Sequence, residues 1–141
     1  MGNPNGILLS PDGKTLYINN TRNMPYGNHL LAADVNADGT ITNKREFCKL
    51  YIPPATLDKE DVFTGADGMK IDTEGNIYIA TVMGLQIFNN KGDFIGILNM
   101  PVRPINLTFG GPDNKTLYFA CPNKIYKIRT NKTGLTNPLK K

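Results

Sequence analysis

The sequence predicts an all-β chain folded as part of a β-propeller, and three observations support this prediction. Short segments rich in β-branched and aromatic residues, such as 76–80 and 124–128, are bounded by Gly, Asn, Asp or Pro. No window has the apolar spacing of an amphipathic helix. One segment also recurs three times along the chain, which is typical of repeat architectures.

The repeated segment gives each predicted blade its first two strands. The copies at 5–18, 67–79 and 106–119 each contain a polar residue, an apolar strand, a turn, and a second strand with aromatic residues. The last two copies start 39 residues apart, and the first two start 62 apart with a Pro-containing insertion at Ile52–Ala66 between them. A period near 40 residues that holds four strands is typical of propeller blades.

The individual strands follow in order from this repeat. Blades are expected at about 5–52, 66–99 and 104–130, with a polar tail at 131–141. Most of the 14 Gly and 10 Pro residues fall between the predicted strands, where they favour hairpin turns. The predicted strands are 6–9, 15–19, 29–35 and 41–51 in the first blade, 68–72, 76–81, 84–88 and 93–98 in the second, and 106–109, 116–120 and 124–129 in the third.

Three blades do not close a ring. Propellers have about four to eight blades, and an open stack leaves apolar faces and sheet edges uncovered. We therefore expect residues 1–141 to be the C-terminal part of a longer propeller domain, whose N-terminal blades close the ring. A second copy of the chain is the alternative. Thr130–Lys141 is polar and offers no clear fourth strand for the third blade.

Charge and hydropathy exclude several classes of protein. The 16 Lys and Arg residues exceed the 12 Asp and Glu residues only slightly and are scattered, so no nucleic-acid partner is predicted. No apolar run approaches the roughly 18 residues of a membrane span, so no membrane association is predicted. Met1–Gly6 lacks the basic and apolar regions of a signal peptide, which leaves the cytoplasm and the periplasm open as compartments.

Residue types common in nucleophilic and metal sites are scarce. The single histidine, His29, lies in a short apolar run and is interpreted as a structural strand residue. Cys48 and Cys121 are 73 positions apart in strand-like segments, which favours two buried thiols over a disulfide or a metal site. Asp34–Gly39 matches the start of an EF-hand loop, but Arg45 stands where that loop needs a Glu, so a polar hairpin is expected.

Three polar residues stand at matching places in the repeat. Asn5, Asp67 and Asn106 each come at the start of the innermost strand of a blade, and innermost strands line the central channel. Their side chains are therefore expected to meet in one mouth of the channel. Such oxygen donors suit a divalent cation such as Ca²⁺, Mg²⁺, Zn²⁺ or Mn²⁺. The alternative is that these residues only form the local turns that start each strand.

The segments that contain these residues resemble a known family. Pro4–Tyr17, Ala66–Tyr78 and Asn106–Tyr118 look like motifs of the gluconolactonase, senescence marker protein and luciferin-regenerating enzyme family. Ile125–Arg129 is similar to the C-terminal strand of that family. The resemblance covers nearly the whole chain and implies a six-bladed β-propeller.

The same resemblance implies a metal-dependent hydrolase that opens sugar-acid lactones, with a small sugar lactone as its substrate. The implied metal ligands are Asn5, Asp67 and a glutamate that would precede Met1, with Ca²⁺ favoured and Zn²⁺, Mg²⁺ or Mn²⁺ as alternatives. Asp67 is implied to orient or deprotonate the attacking water, and Asn106 to contact the substrate or the ligands. Because the glutamate lies outside residues 1–141, we expect this chain alone to lack part of the site.

The sequence leaves two other functions open. A propeller fold alone does not decide function, so a non-catalytic binding or scaffold module, or an inactive fragment, is one alternative. A related propeller esterase or phosphotriesterase is the other, because the same kind of channel site supports it. Tight metal binding by the full-length protein would favour the enzyme over the scaffold.

Overall fold

The computed structural model describes residues 3–21, 27–54 and 63–136, which form three antiparallel sheets with strand order following the chain. The strands are β1 (Pro4–Leu9), β2 (Thr15–Asn20), β3 (His29–Val35) and β4 (Ile41–Lys49) in sheet 1, β5 (Met69–Ile71), β6 (Ile77–Thr81), β7 (Gly84–Phe88) and β8 (Phe94–Leu98) in sheet 2, and β9 (Asn106–Gly110), β10 (Thr116–Cys121) and β11 (Lys124–Arg129) in sheet 3. These ranges contain no α-helix, and hence none with the length and hydrophobicity to cross a membrane. The all-β prediction is confirmed.

Each sheet begins with a hairpin whose turn needs a left-handed backbone. Gly13, Gly75 and Asn114 have φ angles of +72°, +84° and +55° in the three turns. Glycine adopts this conformation at no steric cost, and asparagine tolerates it better than most residues. In sheet 2 the buried carboxylate of Asp72 also accepts a hydrogen bond from the backbone N–H of Asn76 at 2.9 Å. Local turn chemistry therefore pairs the first two strands of every sheet.

Two apolar cores lie between the sheets and hold them side by side. The strand β1 lies beside β5, and β5 lies beside β9, so the first strands of the three sheets are neighbours. The larger buried side chains between sheets 1 and 2 include Tyr17, Leu30, Met69, Ile77 and Phe88. Those between sheets 2 and 3 include Tyr78, Leu85, Leu107, Leu117 and Phe119. Each such side chain contributes about 1.5–3 kcal/mol on burial, so these cores fix the spacing of the first strands.

The tail after β11 returns to sheet 2 and adds no fourth strand to sheet 3 among the described residues. The N–H of Leu135 donates to the carbonyl oxygen of Ile71 at 3.1 Å. The Leu135 side chain packs against the core between sheets 1 and 2. Gly134 lies against Phe109 with no room for a side chain between them. The third sheet is therefore tied to the second by its last described residues.

Several smaller predictions can be compared with this fold. Cys48 and Cys121 are both free thiols, as predicted; Cys121 is buried as expected, whereas Cys48 is only partly buried. Burial raises the pKa of Cys48 to about 12, so its thiol is protonated at neutral pH. His29 begins β3, and its Nε2 lies 3.4 Å from Oε2 of Glu46 in β4. The EF-hand-like run Asp34–Gly39 forms the hairpin turn between β3 and β4, which confirms the hairpin interpretation.

Candidate functional site

Asn5 and Asp67 occupy corresponding positions on neighbouring first strands. Asn5 stands two residues before Ile7 in β1, and Asp67 stands two residues before Met69 in β5. Ile7 and Met69 make corresponding cross-strand pairs with the second strands of their sheets. The Cα of Gly6 lies directly against the backbone carbonyl of Asp67. The fold therefore brings the Asn5–Gly6 dipeptide next to Asp67.

Asn106 lies one register position further along its sheet than the repeat predicted. The N–H of Ile105 donates to the carbonyl of Ala120 at 2.8 Å in sheet 3. The N–H of Asp67 donates in the same way to the carbonyl of Ala80 at 2.9 Å in sheet 2. Ile105 is therefore the structural counterpart of Asp67, and the expected matching of Asn106 with Asp67 is corrected.

The shift arises within the β9–β10 hairpin. The pairing in this hairpin extends one position closer to the turn, to Gly110 with Thr116, than the pairing of β5 with β6, which ends at Ile71 with Ile77. An alignment of the repeated segments that superimposes their turns therefore pairs Asn106 with Asp67. In the fold, the side chain of Asn106 lies against the Cα of Gly68, and its Oδ1 accepts a hydrogen bond from the next backbone N–H at 2.8 Å. The amide oxygen of Asn106 is thus already used within the chain.

The side-chain amide of Asn5 is oriented by Thr21. Its Nδ2 donates to Oγ1 of Thr21 at 2.7 Å, and the Thr21 hydroxyl donates to the carbonyl of Ala66 at 3.0 Å. An amide that uses its nitrogen in this way presents its oxygen, an acceptor, on the other side. Because Asn5 is exposed, this oxygen is accessible to a cation or a ligand.

The carboxylate of Asp67 faces the guanidinium group of Arg103. Oδ2 of Asp67 lies 3.7 Å from Nη2 of Arg103, and the two side chains are 20% and 41% exposed. The same Nη2 donates to the carbonyl of Gly65 at 3.3 Å. A partly exposed pair at this distance contributes about 1 kcal/mol or less. Arg103 can therefore leave Asp67 at little cost when another cation or a ligand arrives.

Two apolar side chains lie next to Arg103. Gly65 has a φ of +56° and is close to the side chains of Val82, Phe63 and Arg103. Val82 and Phe63 are 41% and 38% exposed, so they form an accessible apolar surface. The half-buried carboxylate of Asp67 is thus flanked by one basic group and, beyond it, by an apolar rim.

Most of the chain matches a single protein family. Residues 1–122 match the sequence profile of the SMP-30/gluconolactonase/LRE-like region. The chain belongs to this family. It is 28% identical over 139 residues to the gluconolactonase of Zymomonas mobilis, a match that covers 95% of this chain and 36% of that protein. The chain spans about a third of the length of the curated relatives that it matches. The family predicted from the sequence motifs is confirmed.

Solved structures of SMP-30/gluconolactonase/LRE-like proteins share the fold. A gluconolactonase from Xanthomonas campestris aligns with a TM-score of 0.72 and 23% identity, over 92% of this chain and 38% of that chain. Regucalcin from Agrobacterium tumefaciens, described as a calcium-binding protein, aligns with a TM-score of 0.68 and 21% identity, over 96% of this chain and 48% of that chain. These similarities confirm the predicted propeller fold.

In this SMP-30/gluconolactonase/LRE-like chain, Asn5 and Asp67 offer one amide oxygen and one carboxylate, which are both hard oxygen donors. Amide and carboxylate oxygens are ligands that Ca²⁺ prefers, and Ca²⁺ takes about six to eight of them. Within the described ranges, no three side chains of His, Cys, Asp or Glu come together as a metal-binding group. To hold such a cation, these two donors would need further oxygens from water, from substrate or from residues outside the described ranges.

Sequence reasoning missed three residues around Asn5 and Asp67. Arg103 lies between sheets 2 and 3, and no local pattern indicates its contact with the carboxylate. Asn19 and Thr21 differ from their counterparts in the repeat, because Ala80 and an apolar residue, Val82, occupy the corresponding places in sheet 2. This difference is visible in the sequence. Comparing the copies one residue beyond the aligned segments would have identified Asn19 as an exception.

Proposed function

We propose that the protein hydrolyses sugar-acid lactones with a divalent cation held between Asn5 and Asp67. The proposal depends chiefly on the placement of these two oxygen donors at corresponding ends of neighbouring first strands. Family membership and the similarity to a gluconolactonase support lactone hydrolysis as the reaction. Because the chain spans about a third of that relative, the proposal concerns a closed propeller to which this chain contributes Asn5 and Asp67.

Calcium is the proposed cation. The donors are hard oxygens, and the similar regucalcin structure is that of a calcium-binding protein. The neutral amide of Asn5 adds a ligand without reducing the charge of the cation. When bound, the cation supplies Lewis acidity to the lactone carbonyl and stabilises the negative charge that develops on its oxygen. Zn²⁺, Mg²⁺ and Mn²⁺ are the alternatives.

Asp67 is proposed to orient the attacking water and to accept its proton. Its side chain is 20% exposed, so water reaches the carboxylate while most of the side chain is shielded. The water oxygen forms a bond to the carbonyl carbon, and the ring C–O bond then breaks. The ring oxygen leaves as a hydroxyl group that takes up a proton, and the product is the open-chain sugar acid.

Arg103 and Asn106 are proposed to contact the substrate. The guanidinium of Arg103 has donors beyond the nitrogen that faces Asp67 and Gly65, and these suit the hydroxyl or carboxylate oxygens of a sugar acid. Asn106 uses its amide oxygen within the chain, so its Nδ2 is the group that can donate to a substrate oxygen. Both residues therefore serve recognition and leave proton transfer to Asp67.

The proposed activity is tested by acid release from glucono-δ-lactone at constant pH, with and without Ca²⁺. The assay uses the chain and any longer product of its gene. Asp67→Asn should lower kcat by about 100-fold or more, because the amide cannot accept the proton. Asn5→Ala should first weaken Ca²⁺ binding. Asp93→Asn is the matched control, because Asp93 is an exposed acceptor in the turn between β7 and β8.

Each part of the proposal has its own contrary result. A wild-type rate in Asp67→Asn would refute the role of Asp67 as the base. Cation binding without hydrolysis of any lactone would favour the non-catalytic binding module instead. Higher activity with Zn²⁺, Mg²⁺ or Mn²⁺ than with Ca²⁺ would change the assigned cation and leave the reaction in place.

A further inference from the structure

The junction between sheets 1 and 2 contains a side chain that the next junction lacks. Between sheets 2 and 3, the N–H of Gly68 donates directly to the carbonyl of Ile105 at 2.9 Å. The corresponding groups between sheets 1 and 2 are the N–H of Gly6 and the carbonyl of Asp67. Asn19 bridges these two groups, since its Oδ1 accepts from Gly6 and its Nδ2 donates to Asp67, both at 2.8 Å. One amide thus links the two strands that carry the candidate donors.

Asn19 is an exception within the repeat. Ala80 and Ala120 stand at its position in sheets 2 and 3, as the matching backbone hydrogen bonds of these alanines show. Asn19 is fully buried, and an unpaired buried amide costs about 1–3 kcal/mol. Its two polar groups are both satisfied by backbone groups beside the candidate donors. Alanine is sufficient in sheet 2 because the backbone groups of Gly68 and Ile105 bond directly there, whereas at this junction the amide of Asn19 satisfies both backbone groups.

Thr21 forms a second link across the same junction. Its hydroxyl accepts a hydrogen bond from Nδ2 of Asn5 and donates one to the carbonyl of Ala66, the residue before Asp67. The corresponding residue in sheet 2 is Val82, which has nearly the same shape but no hydroxyl. The two links together fix the spacing of the strands and the orientation of the Asn5 amide.

We propose that Asn19 and Thr21 are positioning residues that hold Asn5 and Asp67 in place for a divalent cation before it binds. This inference rests on the proposed function, since it assumes that the two donors are ligands. Residues that orient metal ligands typically change metal affinity by about 10- to 100-fold when they are removed. The physical reason is that donors already held in place lose less conformational freedom on binding.

The test is calorimetric titration of the chain, and of any longer product of its gene, with CaCl₂ alone. Thr21→Val removes the hydroxyl group and keeps nearly the same side-chain shape. Thr21→Ser keeps the hydroxyl group and removes only the methyl group. Asn19→Ala gives sheet 1 the residue found in sheets 2 and 3. We expect Thr21→Val and Asn19→Ala each to weaken Ca²⁺ affinity by about 10-fold or more, and Thr21→Ser to keep nearly the wild-type affinity.

A matched control separates positioning from general stability. Asn76 is also a buried amide, and its Nδ2 donates to Oδ2 of Asp72 in the turn after β5. Asn76→Ala should therefore lower stability in urea without changing Ca²⁺ affinity. The proposal is supported if Asn19→Ala loses more affinity than Asn76→Ala does at a similar loss of stability.

The contrary outcomes distinguish this inference from the proposed function. Wild-type affinity in Asn19→Ala and Thr21→Val, with binding abolished by Asp67→Asn, would overturn the positioning role and leave the cation site in place. No Ca²⁺ binding by the wild-type chain or by any longer product of its gene would overturn both the positioning role and the assignment of a cation to Asn5 and Asp67. Failure of Thr21→Ser to retain affinity would also count against the role of the hydroxyl.

Discussion

The close approach of sheets 1 and 2 depends on the absence of a side chain at residue 6, and we predict that Gly6→Ala disrupts both the fold and the site. A Cβ on Gly6 would lie 2.7 Å from Nδ2 of Asn19 and 2.9 Å from Cγ of Met69, and closer still to the carbonyl oxygen of Asp67. Ordinary van der Waals contact of a Cβ begins near 3.4 Å. The strands must therefore separate by at least about half an ångström at this point.

The expected cost follows from this overlap. Overpacking a well-filled site costs about 1–3 kcal/mol. Separation of the strands also stretches the hydrogen bonds that Asn19 makes to Gly6 and Asp67, each of which contributes about 1 kcal/mol. The free energy of unfolding should thus fall by about 2–4 kcal/mol. Because the displaced group is the backbone of Asp67, Ca²⁺ affinity should fall as well.

Urea unfolding followed by circular dichroism measures the change in stability. With a urea dependence of about 1–3 kcal/mol per M, the midpoint should fall by about 0.7–4 M. Gly96→Ala is the matched control, because nothing lies within 4 Å of a Cβ built on Gly96 in β8. This control should be neutral or slightly stabilising, since alanine has less conformational entropy to lose than glycine. Equal midpoints for Gly6→Ala and Gly96→Ala would refute the steric argument.

Two further predictions follow from charge and burial. Arg103→Met removes a cation 3.7 Å from Oδ2 of Asp67, so Ca²⁺ affinity measured by calorimetry should rise by about 2- to 5-fold; unchanged or weaker binding would contradict this. Burial raises the pKa of Cys48 to about 12, so iodoacetamide should modify it slowly in the folded chain at pH 8 and faster as the pH rises. Rapid modification at pH 8, detected by mass spectrometry without urea, would contradict the burial of this thiol.

The strands could be predicted because they depend on local chemistry. Turn residues such as Gly13 and Gly75 adopt the left-handed backbone that each hairpin needs, and the flanking segments have strand-forming side chains. The course of the tail could not be predicted in this way. Leu135 is one apolar residue in a polar segment, and only the packed sheets provide the cleft that receives it.

The candidate site was predictable to the extent that it repeats. Asn5 and Asp67 correspond both in the aligned sequence and in the fold, whereas Asn106 corresponds to them in the alignment only. The reason is that pairing in the third hairpin extends one position closer to the turn, which an alignment that superimposes the turns does not show. Arg103 reaches Asp67 from the segment between two sheets, so its contact depends on tertiary packing. The sequence reveals that Asn19 stands where the other two copies have alanine, but it does not reveal which two backbone groups the Asn19 side chain bonds.

The returning tail has a consequence for how the three sheets unfold. In ordinary repeat arrays each unit contacts only its neighbours, so an end unit can open while the others stay closed. Here Leu135 follows the last strand of sheet 3 yet packs into the core shared by sheets 1 and 2. When the third sheet opens, the Leu135 side chain therefore leaves the core between sheets 1 and 2, although sheet 3 contributes no strand to that core. This coupling of next-nearest neighbours favours cooperative melting of the three sheets.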